Sequence, residues 1–276
     1  MSNIIRTVYD FLTSPCASPE GYKYLPFHGA IWPVIVVDAI FLLYVFRIGP
    51  WLMRKRNPYD LRRVLLVYNV FQIVFNSIMI ILSILLVSIY INRPGGIGCI
   101  ERLPYDHPQK GFEIFCGLLY LGNKFLDYLE TVFFVLRKSY KQITLLHVYH
   151  HIMMTSFVFL YIRGPGSGGH ASTVAMINTF VHSVMYVYYL LSSIHPDMKK
   201  SLWWKKYITQ IQLIQFIIDF IHQIWPLVVV PDCPVAKAWC LGTLTQATIM
   251  IILFTNFYIK TYIRKPKPKT NAKKKL

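Results

Sequence analysis

Residues 144–162 read TLLHVYHHIMMTSFVFLYI, a stretch that contains no Lys, Arg, Asp or Glu. At a rise of 1.5 Å per residue, a helix of this length extends about 28 Å, which is enough to cross the hydrocarbon core of a bilayer. His147, His150 and His151 are separated by three and four positions, so they share one helical face. Because polar groups inside a membrane span are costly and usually functional, the stretch predicts a membrane fold with a site built around three imidazoles.

The rest of the chain has the same apolar character. Of the 276 residues, 55% are hydrophobic and only 15% are charged, whereas a soluble domain carries about a quarter charged residues. Seven spans are predicted at 30–49, 64–91, 112–136, 144–162, 171–194, 207–230 and 238–259. The sequence therefore predicts an all-α membrane protein with seven transmembrane helices, in which residues 1–276 form a single domain.

The distribution of positive charge predicts the orientation of these spans. Connections 51–63, 137–143 and 192–206 together with the tail 260–276 contain 20 Lys and Arg, and the connections on the other side contain 7. By the positive-inside rule, the N-terminus is luminal and the C-terminus is cytosolic. The net charge of +17 is explained by this topology, so nucleic-acid binding is not expected.

Two features of the connections fit an endoplasmic reticulum membrane protein. Cys99 and Cys233 fall in two different luminal connections, where a disulfide is predicted and two free thiols are the alternative. Lys273 and Lys274 stand at the fourth and third positions from the C-terminus, within a basic cytosolic tail. A dilysine at these positions predicts an endoplasmic reticulum retrieval signal, and an ordinary basic tail is the alternative.

Four spans place polar groups at a similar depth. The third span contains Lys124, Asp127 and Glu130, of which Lys124 and Asp127 can neutralise each other, and the fifth contains Asn178 and His182. The sixth span begins with a glutamine-rich segment, TQIQLIQF at 209–216. Counted from the cytosolic ends, Asp127, Glu130, His182, the three histidines and Gln210 to Gln215 lie about 4 to 13 Å deep. A polar chamber near the cytosol above an apolar interior suits a substrate with a charged head and a long hydrocarbon tail.

Asp38, Asp219 and His222 lie in the luminal half and are predicted to be polar contacts between helices.

These segments together resemble the ELO (ELOVL) family of very-long-chain fatty acid elongases. The matching segments are Lys124-x-x-Asp127-x-x-Glu130-Thr131, His147-x-x-His150-His151, Asn178-x-x-x-His182-x-x-Met185-Tyr186-x-Tyr188-Tyr189 and Thr209-Gln210-x-Gln212-x-x-Gln215-Phe216. The resemblance implies six helices in a barrel around a tunnel that is open to the cytosol and closed at the luminal end. It also implies the condensing step of elongation, in which malonyl-CoA and a long-chain acyl-CoA give a 3-ketoacyl-CoA two carbons longer, carbon dioxide and CoA.

Residue chemistry suggests roles within such a site. A neutral imidazole is a competent acyl acceptor, and His150, at the middle of the face, is the candidate nucleophile, with Cys116 as the rival. We expect His147 and His151 to orient it or to move its proton, and His182 with Asn178 to stabilise the malonyl enolate. The carboxylates Asp127 and Glu130 are expected to hold imidazole tautomers, with individual roles that the sequence does not assign.

Further residues are candidates for binding substrate, without any cofactor or metal. Within the chamber these are Lys124, Tyr186, Tyr189, Gln212 and Gln215. At the cytosolic ends, Arg137, Lys138, Lys205 and Lys206 are candidates for pairing with CoA phosphates. Thr155, Phe159 and Ile218, one to three turns toward the lumen, are expected to limit the acyl chain length.

Two other function classes share features of this sequence. The H-x-x-H-H box also occurs in membrane di-iron desaturases and hydroxylases, but such a site needs about eight ligands and this chain has one box. A seven-span receptor or transporter is the non-enzymatic alternative, although a chamber in the cytosolic half does not suit an external ligand. For the elongase reading, the expected partners are the reductases and dehydratase of the elongation cycle, with a homodimer as a candidate assembly.

Overall fold

The computed structural model describes residues 2–16, 18–195, 197–198 and 202–263, and only the backbone of residues 2–4 and 202. Within these ranges the chain is helical and contains no β-strand. The helices are α1 (Ser2–Thr13), α2 (Pro19–Tyr24), α3 (Trp32–Leu43), α4 (Gly49–Met53), α5 (Arg62–Ile91), α6 (Lys110–Leu136), α7 (Leu145–Arg163), α8 (Ala171–Ile194), α9 (Leu202–Val228) and α10 (Lys237–Tyr258). The retrieval residues Lys273 and Lys274 lie outside the described residues.

Within the residues that the structure describes, six helical segments are long and apolar enough to cross a membrane. They are Trp32–Met53, Arg62–Ile91, Leu145–Arg163, Ala171–Ile194, Trp203–Val228 and Lys237–Ile263. Large apolar side chains are exposed on these segments; Val67, for example, is 71% exposed and Ile252 is 61% exposed. In water such surfaces would be unfavourable, so they are suited to contact lipid.

Helix α6 matches the remaining predicted span, but its composition differs from that of the other six. It is 27 residues long and contains Lys110, Glu113, Lys124, Asp127 and Glu130. All five of these side chains are buried inside the protein. Helix α6 therefore turns its ionisable face toward the other helices, although its overall composition is less apolar than theirs.

The helices pack in pairs that bring the polar faces together. Helix α5 packs mainly on α8, α9 on α10, and α6 on α7. Thr144 caps the N-terminus of α7 by accepting a hydrogen bond from the backbone N–H of His147 at 3.2 Å. This cap fixes where α7 begins, and with it the height of the three histidines.

A disulfide and a buried ionic network mark one end of the bundle. The structure joins Cys99, in the connection before α6, to Cys233, in the connection after α9. This is the pair that the sequence predicted. We call this end of the bundle the disulfide end.

The ionic network lies at the disulfide end. Lys110 Nζ lies 2.7 Å from Glu20 Oε1 and 2.6 Å from Glu113 Oε2. The connection from α7 to α8 closes over this network, because the backbone N–H of Ser167 donates to Glu20 Oε2 at 2.6 Å. Gly168 in this connection has φ +89°, a conformation that residues with a Cβ rarely adopt.

Candidate active site

An ion pair between Lys124 and Asp127 lies at the centre of the site. Lys124 Nζ donates to Asp127 Oδ2 at 2.9 Å and to Asn178 Oδ1 at 2.8 Å. Both charged side chains are almost completely buried. The predicted neutralisation of Lys124 by Asp127 is present, and the same ammonium group links α6 to α8. The contact of Lys124 with Asn178 therefore joins α6 to α8, while Asp127 neutralises the buried ammonium group.

Tyr186 links the two carboxyl groups of α6. Its hydroxyl lies 3.0 Å from Asp127 Oδ1 and also contacts Glu130 Oε1. A phenol carries one proton, so it can donate to one of these oxygens at a time. The structure therefore places Tyr186, a candidate for substrate binding, between the two carboxyl groups.

The four histidines differ in their neighbours. His147 Nε2 lies 2.8 Å from Thr131 Oγ1, His151 Nε2 lies 3.9 Å from Glu130 Oε2, and His182 Nδ1 lies 3.8 Å from Asp127 Oδ2. His150 Nδ1 is buried without a hydrogen-bond partner among the described residues. The ring of His150 is 5.8 Å from that of His151 and 6.4 Å from that of His182. His182 Nδ1 also lacks a hydrogen-bond partner among the described residues. Of these three contacts, only that of His147 with Thr131 is within hydrogen-bond distance, and the ring of His150 lies near those of His151 and His182.

Asn178 has an orientation that leaves donors available. Its Oδ1 accepts from Lys124 Nζ and, at 3.0 Å, from the hydroxyl of Tyr120. The amide nitrogen of Asn178 is therefore free of these two contacts and still carries two N–H donors. Asn178 and His182 lie one turn apart on α8, so both groups face the same side of the site.

The structure also brings together residues that the sequence analysis did not select. Gln72 Nε2 on α5 donates to Asp127 Oδ1 at 3.3 Å, and Asn76 Nδ2 donates to Gln72 Oε1 at 3.1 Å. Asn123 Nδ2 then donates to Asn76 Oδ1 at 3.0 Å. The signal for this amide ladder was present in the sequence, since Asn69, Gln72 and Asn76 recur at helical spacing inside an apolar span.

The remaining candidates lie at different distances from this centre. Gln215 is buried beside it, Gln212 Nε2 contacts Met185 Sδ at 3.9 Å, and Tyr189 packs against Tyr186 with ring centroids 6.1 Å apart. Arg137, Lys138, Lys205 and Lys206 lie at the other end of the bundle from the disulfide. In the described part of the chain, these four cations form no hydrogen bond or ion pair with the site residues.

An apolar cavity extends from the site toward the disulfide end. Near the histidines it is lined by Tyr120, Gln215 and Phe216, and the ring of Phe216 is 6.4 Å from that of His150. At its far end it is lined by Glu113, Ser167 and Gly168. Methionines contribute much of the wall between these ends, at Met79, Met153, Met154 and Met250.

Three residues predicted to limit chain length do not line this cavity. Thr155 is buried and donates to the backbone carbonyl of Lys124 at 3.2 Å. Phe159 is buried in a hydrophobic cluster with Leu25 and Ile31, and Ile218 is 44% exposed on the outer surface. The prediction for these residues was wrong because the direction of a helical side chain depends on its phase around the axis, and depth alone does not define that phase.

Of the three polar groups in the luminal half that were predicted to join helices, two do so and one does not. Asp38 accepts hydrogen bonds from Tyr128 at 2.5 Å and from Ser156, and His222 Nδ1 lies 3.1 Å from Thr173 Oγ1. These two residues do join helices, as predicted. Asp219 instead lines the cavity, and one of its carboxyl oxygens lacks a hydrogen-bond partner. Its prediction as a contact between helices was wrong.

One group of side chains has the composition of a metal site. Ligand atoms of Glu130, His147 and His151 all lie within 4.8 Å of one another. Two imidazoles and a carboxylate suit a first-row transition metal. However, Thr131 and Tyr186 already occupy atoms of this group, and a di-iron centre needs more ligands than three.

Comparison with known proteins identifies the family. Residues 26–270 match the ELO family, described as the GNS1/SUR4 family. The chain belongs to the ELO family. It is 41% identical to very long chain fatty acid elongase F of Drosophila melanogaster over 234 residues, which are 85% of this chain and 90% of that protein. It is also 36% identical to human very long chain fatty acid elongase 4 over 239 residues, which are 86% of this chain and 74% of that protein. The ELO match covers the whole site, from Lys124 to Phe216.

Proposed function

We propose that this ELO-family chain is the condensing enzyme of fatty acid elongation, a very-long-chain 3-oxoacyl-CoA synthase. The observation that carries the proposal is the position of His150, between two other imidazoles and beside the polar end of an apolar cavity. The polar end suits the reacting thioester and the cavity suits a hydrocarbon chain. The names of the related elongases support the same reaction. The reaction joins malonyl-CoA to a long-chain acyl-CoA and releases carbon dioxide and CoA.

The first half of the reaction transfers the acyl group to His150. A ring nitrogen of His150 attacks the thioester carbonyl, a C–N bond forms, the C–S bond breaks, and CoA leaves as a thiol after taking a proton. His150 Nδ1 has no partner, and a nucleophile needs a lone pair that no donor occupies. His182 Nδ1 shares this feature, but the ring of His150 also lies 6.4 Å from that of Phe216 at the cavity wall. His147, which contacts Thr131, and His151, 3.9 Å from Glu130, would orient the ring and move its proton.

The second half forms the new carbon–carbon bond. Loss of carbon dioxide from malonyl-CoA leaves an enolate, whose carbon attacks the acyl-imidazole carbonyl and displaces His150. The free amide N–H groups of Asn178 and the imidazole of His182 would stabilise the enolate oxygen. Asp127 would keep His182 in one orientation, and Lys124 would hold Asn178. No cofactor enters this scheme.

The same proposal includes the architecture and cellular setting. The chain is a single ELO-type domain in the endoplasmic reticulum membrane. Helix α6 crosses the membrane as a seventh span, since its ionisable side chains are buried against other helices. Six helices then surround a tunnel that opens to the cytosol and is closed at the disulfide end, which is luminal together with the N-terminus. The cytosolic C-terminal tail carries the dilysine signal, and the cations at the cytosolic ends of the spans bind CoA phosphates. Its partners are the reductases and dehydratase of the elongation cycle, with a homodimer as a candidate assembly.

The proposal is tested with purified protein in detergent. Incubation with a long-chain acyl-CoA and labelled malonyl-CoA should give a 3-ketoacyl-CoA two carbons longer. Incubation with the acyl-CoA alone should add the acyl mass to the peptide that contains His150. His150→Ala should abolish both results, whereas His222→Ala, which changes a histidine at the disulfide end, should retain both.

Two results would contradict the proposal. Full activity of His150→Ala together with loss of activity in Cys116→Ala would move the nucleophile to the cysteine. Stoichiometric iron in the purified protein, with no condensation product, would favour a desaturase or hydroxylase.

A further inference from the structure

The cavity wall contains one carboxyl group that the proposed condensation does not use. Asp219 lies on α9, one turn beyond Phe216, and is 4% exposed. Its carboxyl group accepts a hydrogen bond from Gln215 of the preceding turn. Its Oδ1 atom has no hydrogen-bond partner among the described residues. No Lys, Arg or His of the described chain forms an ion pair with it.

Other polar groups that line the cavity are bound to the protein. The hydroxyl of Tyr120 donates to Asn178 at 3.0 Å, and Gln246 Oε1 accepts from Tyr149 at 2.5 Å. Glu113 is held by Lys110 and Tyr90. Ser167 Oγ also lacks a partner, but it lies at the far end of the cavity and is a hydroxyl oxygen. Asp219 therefore stands out as a buried carboxyl oxygen that faces the interior of an apolar cavity.

A buried oxygen without a partner destabilises the folded protein unless a ligand forms a hydrogen bond with it. A buried polar group without a partner has lost its hydrogen bonds to water and gained none in return. A carboxyl group in apolar surroundings without a cation is more stable as the neutral acid, which can both donate and accept a hydrogen bond. A saturated hydrocarbon chain provides neither group. A chain that carries a hydroxyl or keto oxygen at this level provides an acceptor, and a hydroxyl also provides a donor.

We propose that Asp219 is a specificity-determining residue that hydrogen-bonds an oxygen substituent on the acyl chain, so that the enzyme accepts hydroxy- or oxoacyl-CoA substrates. This inference rests on the proposed condensing function and on the acyl chain entering the cavity. It deepens that function by naming a class of substrate. It concerns neither the nucleophile nor the length of the chain.

The geometry also predicts where the oxygen stands on the chain. Asp219 lies three residues, or about 4.5 Å, farther along α9 than Phe216. The ring of Phe216 lies 6.4 Å from that of His150. We take the acyl carbonyl to lie at His150 and the chain to be extended, so that it advances about 1.25 Å per carbon. Asp219 then lies beside a carbon between about C5 and C10.

The test compares acyl-CoA substrates of equal length on the purified protein. One substrate is unsubstituted, one carries a hydroxyl at C7 or C8, and one carries a hydroxyl within two carbons of the chain end. Single-turnover condensation with labelled malonyl-CoA gives kcat/KM for each substrate with the wild type, Asp219→Asn and Asp219→Leu. The asparagine variant keeps hydrogen-bonding groups in nearly the same shape, and the leucine variant removes them.

We expect Asp219→Leu to lower kcat/KM for the mid-chain hydroxyacyl-CoA about five- to tenfold, the loss of one hydrogen bond. The same variant should leave the unsubstituted chain unchanged or improved, and Asp219→Asn should retain most of the preference. The chain hydroxylated near its end should not depend on Asp219.

Equal effects of Asp219→Leu on all three substrates would overturn the inference and leave the proposed function in place, because the carboxyl would then be satisfied by water alone. Failure of the wild-type protein to condense even the unsubstituted chain would overturn both.

Discussion

Tyr161 separates the cavity from a second cavity at the disulfide end. Both cavities are lined by Tyr161, Ala171 and Thr243. The Tyr161 hydroxyl donates to the carbonyl of Gly168 at 3.1 Å, and its ring is 5.5 Å from the ring of Trp239. These contacts hold the ring at the boundary between the two spaces. We therefore predict that Tyr161→Ala connects them and lengthens the longest acyl chain that the enzyme accepts.

The size of the change follows from the side chain that is removed. A tyrosine extends about 6.5 Å beyond its Cβ, which corresponds to about five methylenes, and a filled cavity does not accept extra methylenes without strain. Because each condensation adds two carbons, we expect the longest accepted acyl-CoA to increase by about four carbons, or two cycles. The assay is a single condensation over a series of saturated acyl-CoA substrates of increasing length.

Two matched variants on the same helix serve as controls. Tyr161→Phe keeps the ring and loses one hydrogen bond, so the length limit should stay unchanged. Phe159→Ala should destabilise the protein by about 3 to 5 kcal/mol through a new core cavity, without any change of limit. If Tyr161→Ala stays active with the wild-type limit, or if Phe159→Ala raises the limit, the acyl chain does not follow the path inferred from the cavity.

Three further predictions concern stability and reactivity. Lys124→Met should lower the free energy of unfolding in detergent by about 3 to 5 kcal/mol, because it leaves Asp127 buried and unpaired; an additive double mutant with Asp127→Asn would contradict this coupling. Cys99 and Cys233 are 134 residues apart, and reduction of their disulfide should lower the free energy of unfolding by up to about 5 kcal/mol. The measurement is a lower midpoint of thermal unfolding in the presence of reductant. An unchanged midpoint would show that the bond adds no stability. Burial raises the pKa of the Cys16 thiol, so little thiolate is present at pH 8. Iodoacetamide should therefore leave Cys16 unmodified in the native protein and alkylate it after denaturation. Rapid labelling of the native protein would show that the thiol is accessible.

Helical periodicity predicted much of the site, because its residues recur at three and four positions. The spacing of Lys124, Asp127 and Glu130 on one helix and of Asn178 and His182 on another placed them on inward faces, and the structure shows those faces in contact. Six of the predicted spans correspond to helices that are long and apolar enough to cross a membrane. Helix α6 differs in composition because the site's ionisable residues lie on it.

The sequence did not show toward which side of its helix each side chain points, or which side chain it contacts. Thr155 and Phe159 have the depth expected of a chain-length limit, but they point between helices, and Tyr161 on the same helix points into the cavity. Gln72 recurs with Asn69 and Asn76 at helical spacing in the sequence, but only the packing of α5 shows that its partner is Asp127. Asp219 looked like a contact between helices because sequence alone does not show whether a polar group faces a neighbour or an empty space.

The disulfide also changes the connectivity of the molecule. It closes the chain from residue 99 to residue 233 into a covalent ring, and this ring contains the whole of α6, α7, α8 and α9. The four histidines of the candidate active site and the ion pair of Lys124 with Asp127 therefore lie inside the ring, whereas Gln72 and Asn76 of α5 lie outside it. A single cut in the connection between α6 and α7 opens the ring but does not divide the protein into two pieces. The two parts of the chain on either side of the cut remain joined by the disulfide between Cys99 and Cys233.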